Sequence, residues 1–239
     1  MSFVATTKSR ALLGLLNLSC YSRNFSATST TDMLEVTTLC KTAKEFIPGQ
    51  TSGSVSMDGP LDVDGTSNAF DDAIHDLKAG SAPVTYGPEG ISAGSVALMG
   101  LSLQTTVTRQ SSVTGTVDWS AAADITGGLE AGAFIEAENA ITTTTNGTAQ
   151  NNGAATTNGG IAHLHVSAYS GLTSDVVTIE HSVNGSTSWA TLVTFATVTA
   201  VTSEQVVVAP GTTVRQYLRV VDDVTGTGSV TRAVAFARR

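Results

Sequence analysis

Short segments in which apolar and polar residues alternate recur along most of the chain, separated by Gly, Pro, Asn and Asp. In the first part these segments are Ser54–Gly59, Pro83–Gly87, Ser95–Arg109 and Val113–Ser120. Alternation with a period of two, bounded by turn residues, is typical of strands with one buried face. The segment Thr28–Pro48 is longer and mixed, and it predicts a strand pair with an extended loop at its tip.

The last third of the chain carries the strongest strand pattern. Its segments are IAHLHVSAY, DVVTIEHSV, WATLVTFATV, SEQVVVA, TVRQYLRVV and SVTRAVAFA. Turn-like sequences such as SGLTSD and DDVTGTG lie between them. This spacing predicts an antiparallel β-sandwich over residues 161–239, of immunoglobulin-like or jelly-roll-like type.

One segment has a helical pattern instead. In Ser67–Gly80, three apolar residues (Phe70, Ile74 and Leu77) recur at spacings of four and three, and Ser67 can act as the N-cap. The pattern predicts one helix that packs its apolar stripe on a sheet. Near the N-terminus, the apolar run Ala11–Cys20 is short, and it favours a first strand over a signal peptide.

Composition agrees with a mainly β protein. The chain has 37 Thr and 25 Ser among 239 residues, and only 13% of its residues are charged. Thr and Val favour strands, so an all-helical fold is excluded, and a mean hydropathy of +0.14 argues against disorder. No apolar stretch approaches the roughly 18 residues of a membrane span, so we expect no membrane association.

The net charge of −8 lies entirely in the first part of the chain. Residues 1–140 hold 7 basic and 15 acidic residues, whereas residues 161–239 hold 5 of each and residues 141–160 none. This asymmetry predicts a first domain at 1–141, a Thr/Asn/Gly-rich linker at 142–160 and the sandwich at 161–239. An acidic chain is unsuited to gripping nucleic acid by its phosphates.

Three patterns resemble catalytic or metal sites, and none is complete. GISAG (Gly90–Gly94) matches a nucleophile elbow around Ser92, but a strand pattern follows it where the elbow needs a helix. His163 and His165 share a strand face and lack a specified third ligand, so we expect two partly exposed histidines. Asp62–Gly65 resembles a calcium loop without its closing Glu. We therefore expect no enzyme, metal or cofactor.

The two cysteines, Cys20 and Cys40, do not make a disulfide framework. We expect both to be free, buried thiols.

A resemblance to a known family emerges from LLGLLNLSCY (Leu12–Tyr21) and DMLEVTTLCKTAKEFIPGQTSGSVSMDG (Asp32–Gly59). These segments resemble the major tail tube protein of bacteriophages with long, non-contractile tails. The shared elements are Asp32, Thr37–Thr38, Ala43–Lys44, Phe46–Gly49 and Ser54–Gly59. The similarity extends through the predicted helix, and the segments PVTYGPEG, NGGIAHLHVSA and RAVAFARR match a sandwich domain appended in some members.

The resemblance implies a virion structural protein in the phage tail, assembled in the host cytoplasm. Its fold would be a β-sandwich or barrel with one flanking helix. Its copies would form stacked rings, usually of six, that make an acidic-lined conduit for genome ejection. Its partners would be further copies and other tail proteins (terminator, tip and tape measure), and double-stranded DNA would pass through without specific binding.

The resemblance also implies roles for particular residues. The long loop between Tyr21 and Phe46 would contact neighbouring subunits or rings. The residues expected at this contact are Asn24, Phe25, Ser26, Thr30, Asp32, Lys41, Lys44, Glu45 and Phe46. The acidic residues expected to face the lumen are Glu35, Asp58, Asp62, Asp64 and Asp118. The C-terminal sandwich would lie outside the tube, and its removal would then leave assembly intact.

Two other classes of function remain open from the sequence. One is another virion surface or decoration protein, which would share the composition but form no tube. The other is a secreted β-sandwich adhesin that binds carbohydrate. Its binding site would need exposed aromatic residues, and the second part offers Tyr169, Trp189, Phe195, Tyr217 and Phe236.

Overall fold

The computed structural model describes residues 8–61, 74, 80–111, 113 and 115–239. This part of the chain is nearly all β, as the sequence predicted. The strands are β1 (Arg10–Leu13), β2 (Leu16–Asn17), β3 (Asn24–Glu35), β4 (Phe46–Pro60), β5 (Ser81–Gly87), β6 (Val96–Ser111), β7 (Val117–Ile141), β8 (Thr145–Asn146), β9 (Gln150–Asn151), β10 (Gly160–Ser182), β11 (Ala190–Thr194), β12 (Thr202–Val208) and β13 (Tyr217–Arg238). A short 3-10 turn follows β2 at Leu18–Cys20.

The described strands form one antiparallel sheet. Its main path runs β11-β10-β13-β7-β6-β5-β1-β2, with the β3–β4 pair attached to β7, β12 attached to β10, and β8 and β9 attached to β13. The strand segments of the first part are confirmed, and so is the first strand, whose Leu12 and Leu13 are buried. Of the predicted helix, Ile74 is helical and fully buried. Its other defining residues, Phe70 and Leu77, lie outside the described residues.

Two turns expected in the second part are instead bends within long strands. SGLTSD lies inside β10 and DDVTGTG inside β13, and these strands pair along nearly their whole length with register shifts. Gly171 and Gly226 sit at the bends with φ of 75° and 100°. Such values suit glycine. The two strands thus run through the positions at which the sequence predicted chain reversals.

The bends fold the sheet back on itself. Arg232 and Asp222 are ten residues apart on β13, a distance of about 33 Å in a straight strand. Their side chains are nevertheless hydrogen bonded, so β13 doubles over between them. A hydrophobic core lies between the two halves of the bent sheet. In it, Leu164 and Val166 from one half of β10 pack with Val177 and Ile179 from the other half.

Strands from the two predicted domains pair directly. Val230–Phe236 of β13 pairs with β7, and a shared core joins Leu12, Met99 and Phe134 to Ile161 of β10 and to alanines of β13. The predicted linker runs along β13 through the short strands β8 and β9. Removing residues 161–239 would take away half of this core. The structure therefore argues against the expectation that assembly survives this removal. The boundaries of the two domains remain a prediction.

Candidate functional site

A β-hairpin, which we call the arm (Thr30–Ser52), is exposed along almost its whole length. It consists of the outer parts of β3 and β4 joined by a tip at residues 36–45. β3 and β4 pair in register from Asn24↔Asp58 to Glu35↔Phe46, with one shift beside Asp32. Every residue of the arm except Gly49 is exposed. The segment Thr28–Pro48 is thus a strand pair with an extended tip, as its sequence predicted.

The exposed arm carries an unusual number of large apolar side chains. They are Met33, Leu34, Val36, Leu39, Phe46 and Ile47. Single exposed apolar residues are ordinary, but a cluster on a projecting element is typical of a protein contact surface. The arm therefore has the character of a docking element whose partner surface lies outside this chain.

Four of the five charged residues of the arm are paired within it. The Lys44 ammonium lies 3.0 Å from the Glu35 carboxylate, and the Lys41 ammonium lies 2.8 Å from that of Glu45. The tip is also closed by a hydrogen bond from the Val36 amide to the Glu45 carbonyl oxygen. Burying charges that are already paired costs less desolvation free energy than burying isolated charges. A partner can therefore cover these ion pairs of the arm with a smaller free-energy penalty.

The remaining residues predicted at the subunit contact lie at the root of the arm. The Asn24 side-chain amide donates to both carboxylate oxygens of Asp58, at 3.1 and 3.0 Å. The Phe25 ring stacks on Tyr86 with centroids 4.7 Å apart. Ser26 pairs with Ser56 inside the sheet. The predicted contact residues thus divide between the root, where only the Phe25 ring is partly buried, and the exposed arm. Together they form a hairpin rather than a loop.

One exposed face of the sheet is small, polar and acidic, and we call it the acidic face. The alternation of exposed and buried residues and the strand register place these members on it: Ser26, Thr28, Ser54, Ser56, Asp58, Thr106, Thr108, Gln110, Asp118, Ser120 and Asp124. The set contains three acidic residues and no basic one, although the Arg23 guanidinium reaches Asp118 at 3.5 Å. The same register also places the apolar residues Leu103 and Ala122 on this face. Its opposite side packs on the core through Val55, Met57 and Trp119.

The acidic residues predicted to face a lumen are not all together. Asp58 and Asp118 share the acidic face, where Asp118 accepts a 2.8 Å hydrogen bond from the Thr116 hydroxyl. Glu35 lies on the arm, and Asp62 and Asp64 lie outside the described residues. Asp124 belongs to the face and was missed by the sequence analysis, although its alternation with buried Ala123 and Ile125 could have indicated it.

His163 and His165 are fully buried, not partly exposed as the sequence predicted. Both contact the Thr85 hydroxyl at 2.9 Å, His163 through Nδ1 and His165 through Nε2. His163 Nε2 lies 2.8 Å from the Gln205 side chain, and His165 Nδ1 lies 3.0 Å from the Gly14 carbonyl oxygen. We call this chain of contacts the histidine clasp, because it joins β10 and β12 to elements of the first part of the chain.

The hydrogen positions in the clasp follow from its ends. The Gly14 carbonyl only accepts, so His165 Nδ1 donates to it and a neutral His165 accepts the Thr85 hydroxyl proton at Nε2. Thr85 then accepts from His163 Nδ1, and the bare His163 Nε2 needs a donor. The structure places Gln205 Oε1 at that contact, so two neutral histidines require the Gln205 amide group to be flipped, with its nitrogen donating to His163 Nε2.

Burial opposes protonation of the clasp. It lowers the pKa of His163 to about 3, with a further contribution from the neighbouring His165 charge, and it lowers the pKa of His165 to about 4. In the unfolded chain both histidines take up protons near pH 6.5. The unfolded state therefore binds more protons as the pH falls below 6.5, and the folded state loses stability.

Acid should destabilise the protein through the clasp. Between pH 7.5 and 5.0 the two histidines are expected to remove about 4 kcal/mol of unfolding free energy, and the raised pKa of Asp175 returns about 1 kcal/mol. Urea unfolding followed by circular dichroism measures the difference. The Asp175→Asn variant lacks the opposing contribution of that carboxyl. Its unfolding free energy should therefore fall by more than that of the wild type between pH 7.5 and 5.0. Equal or greater stability at pH 5.0 would contradict this assignment.

A second buried network lies between the two halves of the bent sheet. The Arg232 guanidinium donates to Asp222, which also accepts from the Thr145 hydroxyl, and to Glu136 at 2.6 Å. Arg232 and Asp222 are fully buried. Both carboxylate oxygens of Asp175 are buried nearby without a hydrogen-bond partner. Burial and the Asp222 charge raise the pKa of Asp175 to about 6, although Arg232 opposes the rise.

The weaker candidates for chemistry that fall in the described residues form no site. GISAG is a turn in which the Ser95 hydroxyl bonds the Gly90 and Ser92 carbonyl oxygens, and strand β6 follows it. Within the described ranges, no three His, Cys, Asp or Glu residues cluster to hold a metal ion. The calcium-like segment lies outside those ranges. No helix described here is long and apolar enough to cross a bilayer.

The cysteines are free, but they are exposed rather than buried. Cys20 ends the 3-10 turn, and Cys40 lies at the tip of the arm, so neither side chain points into a core.

The aromatic residues of the second part do not form an open platform. Phe195 and Phe236 are buried in the core. Trp189 is covered by the Arg219 guanidinium, 4.3 Å from the ring centroid, and Arg219 is itself held by Glu180 at 2.7 Å. A carbohydrate ligand stacks on an uncovered ring, so this arrangement does not favour the adhesin.

No protein-family model and no curated protein matches the chain. Among solved structures, a chain in the virion of a native gene transfer agent particle is similar with a TM-score of 0.37 and 18% identity, over 46% of this chain and 82% of that chain. A chain in the tail of an empty gene transfer agent particle gives a TM-score of 0.38 and 17% identity, over 46% of this chain and 80% of that one.

The Dit protein of phage SPP1, described as a hub of the adsorption apparatus, gives a TM-score of 0.41 and 12% identity, over 96% of this chain and 98% of that one. All three scores are below 0.5, so these likenesses do not decide the function.

Proposed function

We propose that this chain is a virion structural protein that assembles into the tail tube of a phage with a long, non-contractile tail. The observation that carries the proposal is the arm. It is an exposed hairpin with clustered apolar side chains and two internal ion pairs. All but its first two residues lie in the segment Asp32–Gly59, where the resemblance to tail tube proteins is most specific. Such an element needs a partner surface, and further copies of the chain supply one.

Copies would associate as closed rings that stack. A ring of identical subunits needs two different surfaces that complement each other. Among the described strands, β3 pairs only with β4 and β12 only with β10, so each offers an edge for a strand of a neighbouring copy. In this arrangement the edges close a ring, usually of six copies, and the arm reaches the next ring.

The acidic face suits the wall of a DNA conduit. Its side chains are short, and its charges repel phosphates, so a duplex passes without finding a site at which to stop. In this proposal Asp58, Asp118 and Asp124 face the lumen. The residues 161–239 contribute to the subunit core and present their remaining surface on the outside of the tube.

Substituting the arm tip should abolish assembly without unfolding the subunit. Leu39 is fully exposed in the single chain, so Leu39→Asp should change the unfolding free energy by less than about 0.5 kcal/mol. In a tube the new charge would be buried at every repeat, and the assembled fraction should fall by about tenfold or more. Sedimentation velocity and negative-stain electron microscopy measure the assembled fraction.

Val183→Asp is the matched control, because it changes another exposed apolar residue that lies off the arm. Tubes of normal length from Leu39→Asp would contradict the docking role of the arm. Equal loss of tubes from both variants would show that the effect is not specific to it.

Reversing charge on the acidic face should make tubes hold DNA. The double change Asp58→Lys and Asp124→Lys converts two repelling groups per subunit into phosphate partners. Tubes of this variant should retain double-stranded DNA through gel filtration and release it at high salt. Asp223→Lys is the control, since Asp223 is exposed outside this face. Absence of retained DNA with the double variant would contradict a lumenal acidic face.

A further inference from the structure

Asparagine is followed by glycine four times in the second half of the chain. These Asn-Gly pairs are Asn146–Gly147, Asn152–Gly153, Asn158–Gly159 and Asn184–Gly185, and they hold four of the nine asparagines. In such a pair the glycine amide nitrogen can attack the side-chain amide of the asparagine, because glycine has no Cβ to obstruct the five-membered ring that forms. The four pairs share this local chemistry, so the fold decides how fast each one reacts.

Three of the four glycine amides donate a hydrogen bond within the chain. The donors and acceptors are Gly147 to the Val220 carbonyl oxygen at 2.7 Å, Gly153 to the Asn151 side-chain oxygen at 3.2 Å, and Gly185 to the Ser182 hydroxyl at 3.3 Å. A glycine amide must leave its acceptor and lose its proton before its nitrogen can attack. Each of these hydrogen bonds therefore slows the reaction at its own Asn-Gly pair.

The Asn184 side chain is held in place as well. Its Oδ1 accepts hydrogen bonds from the Ser186 and Thr187 amides, at 3.1 and 2.9 Å, and its Nδ2 donates to the Thr187 hydroxyl at 2.8 Å. These bonds close the turn between β10 and β11. The side chain can rotate toward the Gly185 nitrogen only by breaking them, so this exposed pair is protected by its own turn.

The pair Asn158–Gly159 lacks both constraints. Among the described residues, the Gly159 amide donates no hydrogen bond, and the only hydrogen bond of Asn158 is made by its backbone amide, to the Thr156 hydroxyl. The Asn158 side chain is exposed and lines an open cleft of about 360 Å³ together with Thr157 and Thr213. It is therefore free to rotate toward the Gly159 nitrogen, and water reaches the side-chain amide from the cleft.

We propose that Asn158 is a site of spontaneous covalent modification, at which the side-chain amide is converted to a carboxylate. The Gly159 amide loses its proton to water or hydroxide, and its nitrogen forms a bond to Asn158 Cγ. The bond from Cγ to Nδ2 breaks, and ammonia leaves with a proton taken from water. A water molecule then opens the succinimide ring at either carbonyl carbon, which gives aspartate or isoaspartate at this position.

The product lies in the turn that holds the residue after β13. The Thr156 hydroxyl donates to the Arg239 carbonyl oxygen, and the Arg239 amide donates to the Gly159 carbonyl oxygen, both at 3.2 Å. Isoaspartate at position 158 inserts an extra methylene group into the backbone between these two partners of Arg239. The modification therefore loosens the contact between this turn and Arg239.

Incubation of the folded full-length protein at mildly alkaline pH tests the proposal. Samples are digested with pepsin in acid, which stops ring closure, and mass spectrometry measures the converted fraction at each asparagine. We expect Asn158 to convert about tenfold faster than the asparagine of each other pair, because breaking one hydrogen bond costs about that factor in rate. In the protein unfolded in urea, the four asparagines should convert at similar rates.

Two substitutions of exposed residues test the cause of the preference. Asn158→Gln should abolish the fast conversion, because glutamine would have to close a larger ring. Thr187→Ala removes the acceptor of Asn184 Nδ2, so Asn184 should convert faster while Asn158 keeps its rate. The proposal is overturned if Asn158 converts no faster than the other three asparagines in the folded protein. It is also overturned if the unfolded chain shows the same preference, since the fold would then not be its cause.

Discussion

Residues 1–160 alone should not form a stable subunit. A chain cut after Gly160 lacks β13, whose residues Val230–Phe236 cover the outer edge of β7. It also lacks Ile161 and the β13 alanines that complete the core around Leu12, Met99 and Phe134. Loss of a strand and half of a core exceeds the few kcal/mol by which a domain is normally stable. Circular dichroism during urea unfolding should show no cooperative transition.

Deleting the arm tip, residues 37–44, is the matched control for this truncation. These residues are exposed and contact no core, so the deletion should unfold cooperatively near the wild-type midpoint. A cooperative wild-type-like transition for residues 1–160 would show instead that the first part folds independently, as the charge asymmetry of the sequence suggested.

The buried charges should respond to substitution with opposite signs. Asp222→Asn leaves Arg232 buried with Glu136 as its remaining described carboxylate partner, and breaking a buried pair in this way costs about 3–5 kcal/mol. Asp175→Asn removes a buried carboxylate that has no hydrogen-bond partner. Removing the buried charge raises the unfolding free energy by about 3 kcal/mol at pH 7.5. The new amide is itself buried without a partner, which reduces the net gain in unfolding free energy to about 1–2 kcal/mol.

The two substitutions also differ in pH dependence. Because the pKa of Asp175 is raised to about 6, the native carboxyl is largely protonated at pH 5.0 and its penalty is relieved there. The gain from Asp175→Asn should therefore shrink at pH 5.0. Urea midpoints of both variants at the two pH values measure these effects. Asp222 is assigned as the ion-pair partner of Arg232, and Asp175 as a buried carboxylate outside that pair. Stabilisation by Asp222→Asn, or destabilisation by Asp175→Asn at pH 7.5, would contradict this assignment.

Strand positions were predictable because alternation and β-propensity act locally. The pattern located β5, β6 and the arm, and it predicted the tip between the arm strands. It failed at SGLTSD and DDVTGTG, because the same Gly, Ser and Asp residues that make turns also make bends within a strand. Whether the chain reverses or continues there depends on the long pairing of β10 with β13, which has no local signature.

Burial of polar residues was not predictable either. The spacing of His163 and His165 correctly predicts that both lie on one face of a strand. The sequence does not reveal that Thr85 and Gly14, from distant segments, cover that face. The acidic face was predictable in part, since Asp58 and Asp118 fall in strand segments. Their common orientation depends on the register of β4 against β7, and a shift of one residue would reverse it.

The central claim is that copies of this chain build a hollow tube. Negative-stain electron microscopy of the purified full-length protein over a range of concentrations tests it most directly. We expect rings or stacked-ring tubes with an open axial channel, whose end views give the number of subunits. A protein that stays monomeric at every concentration, including in the presence of preformed tail tips as initiators, would contradict it.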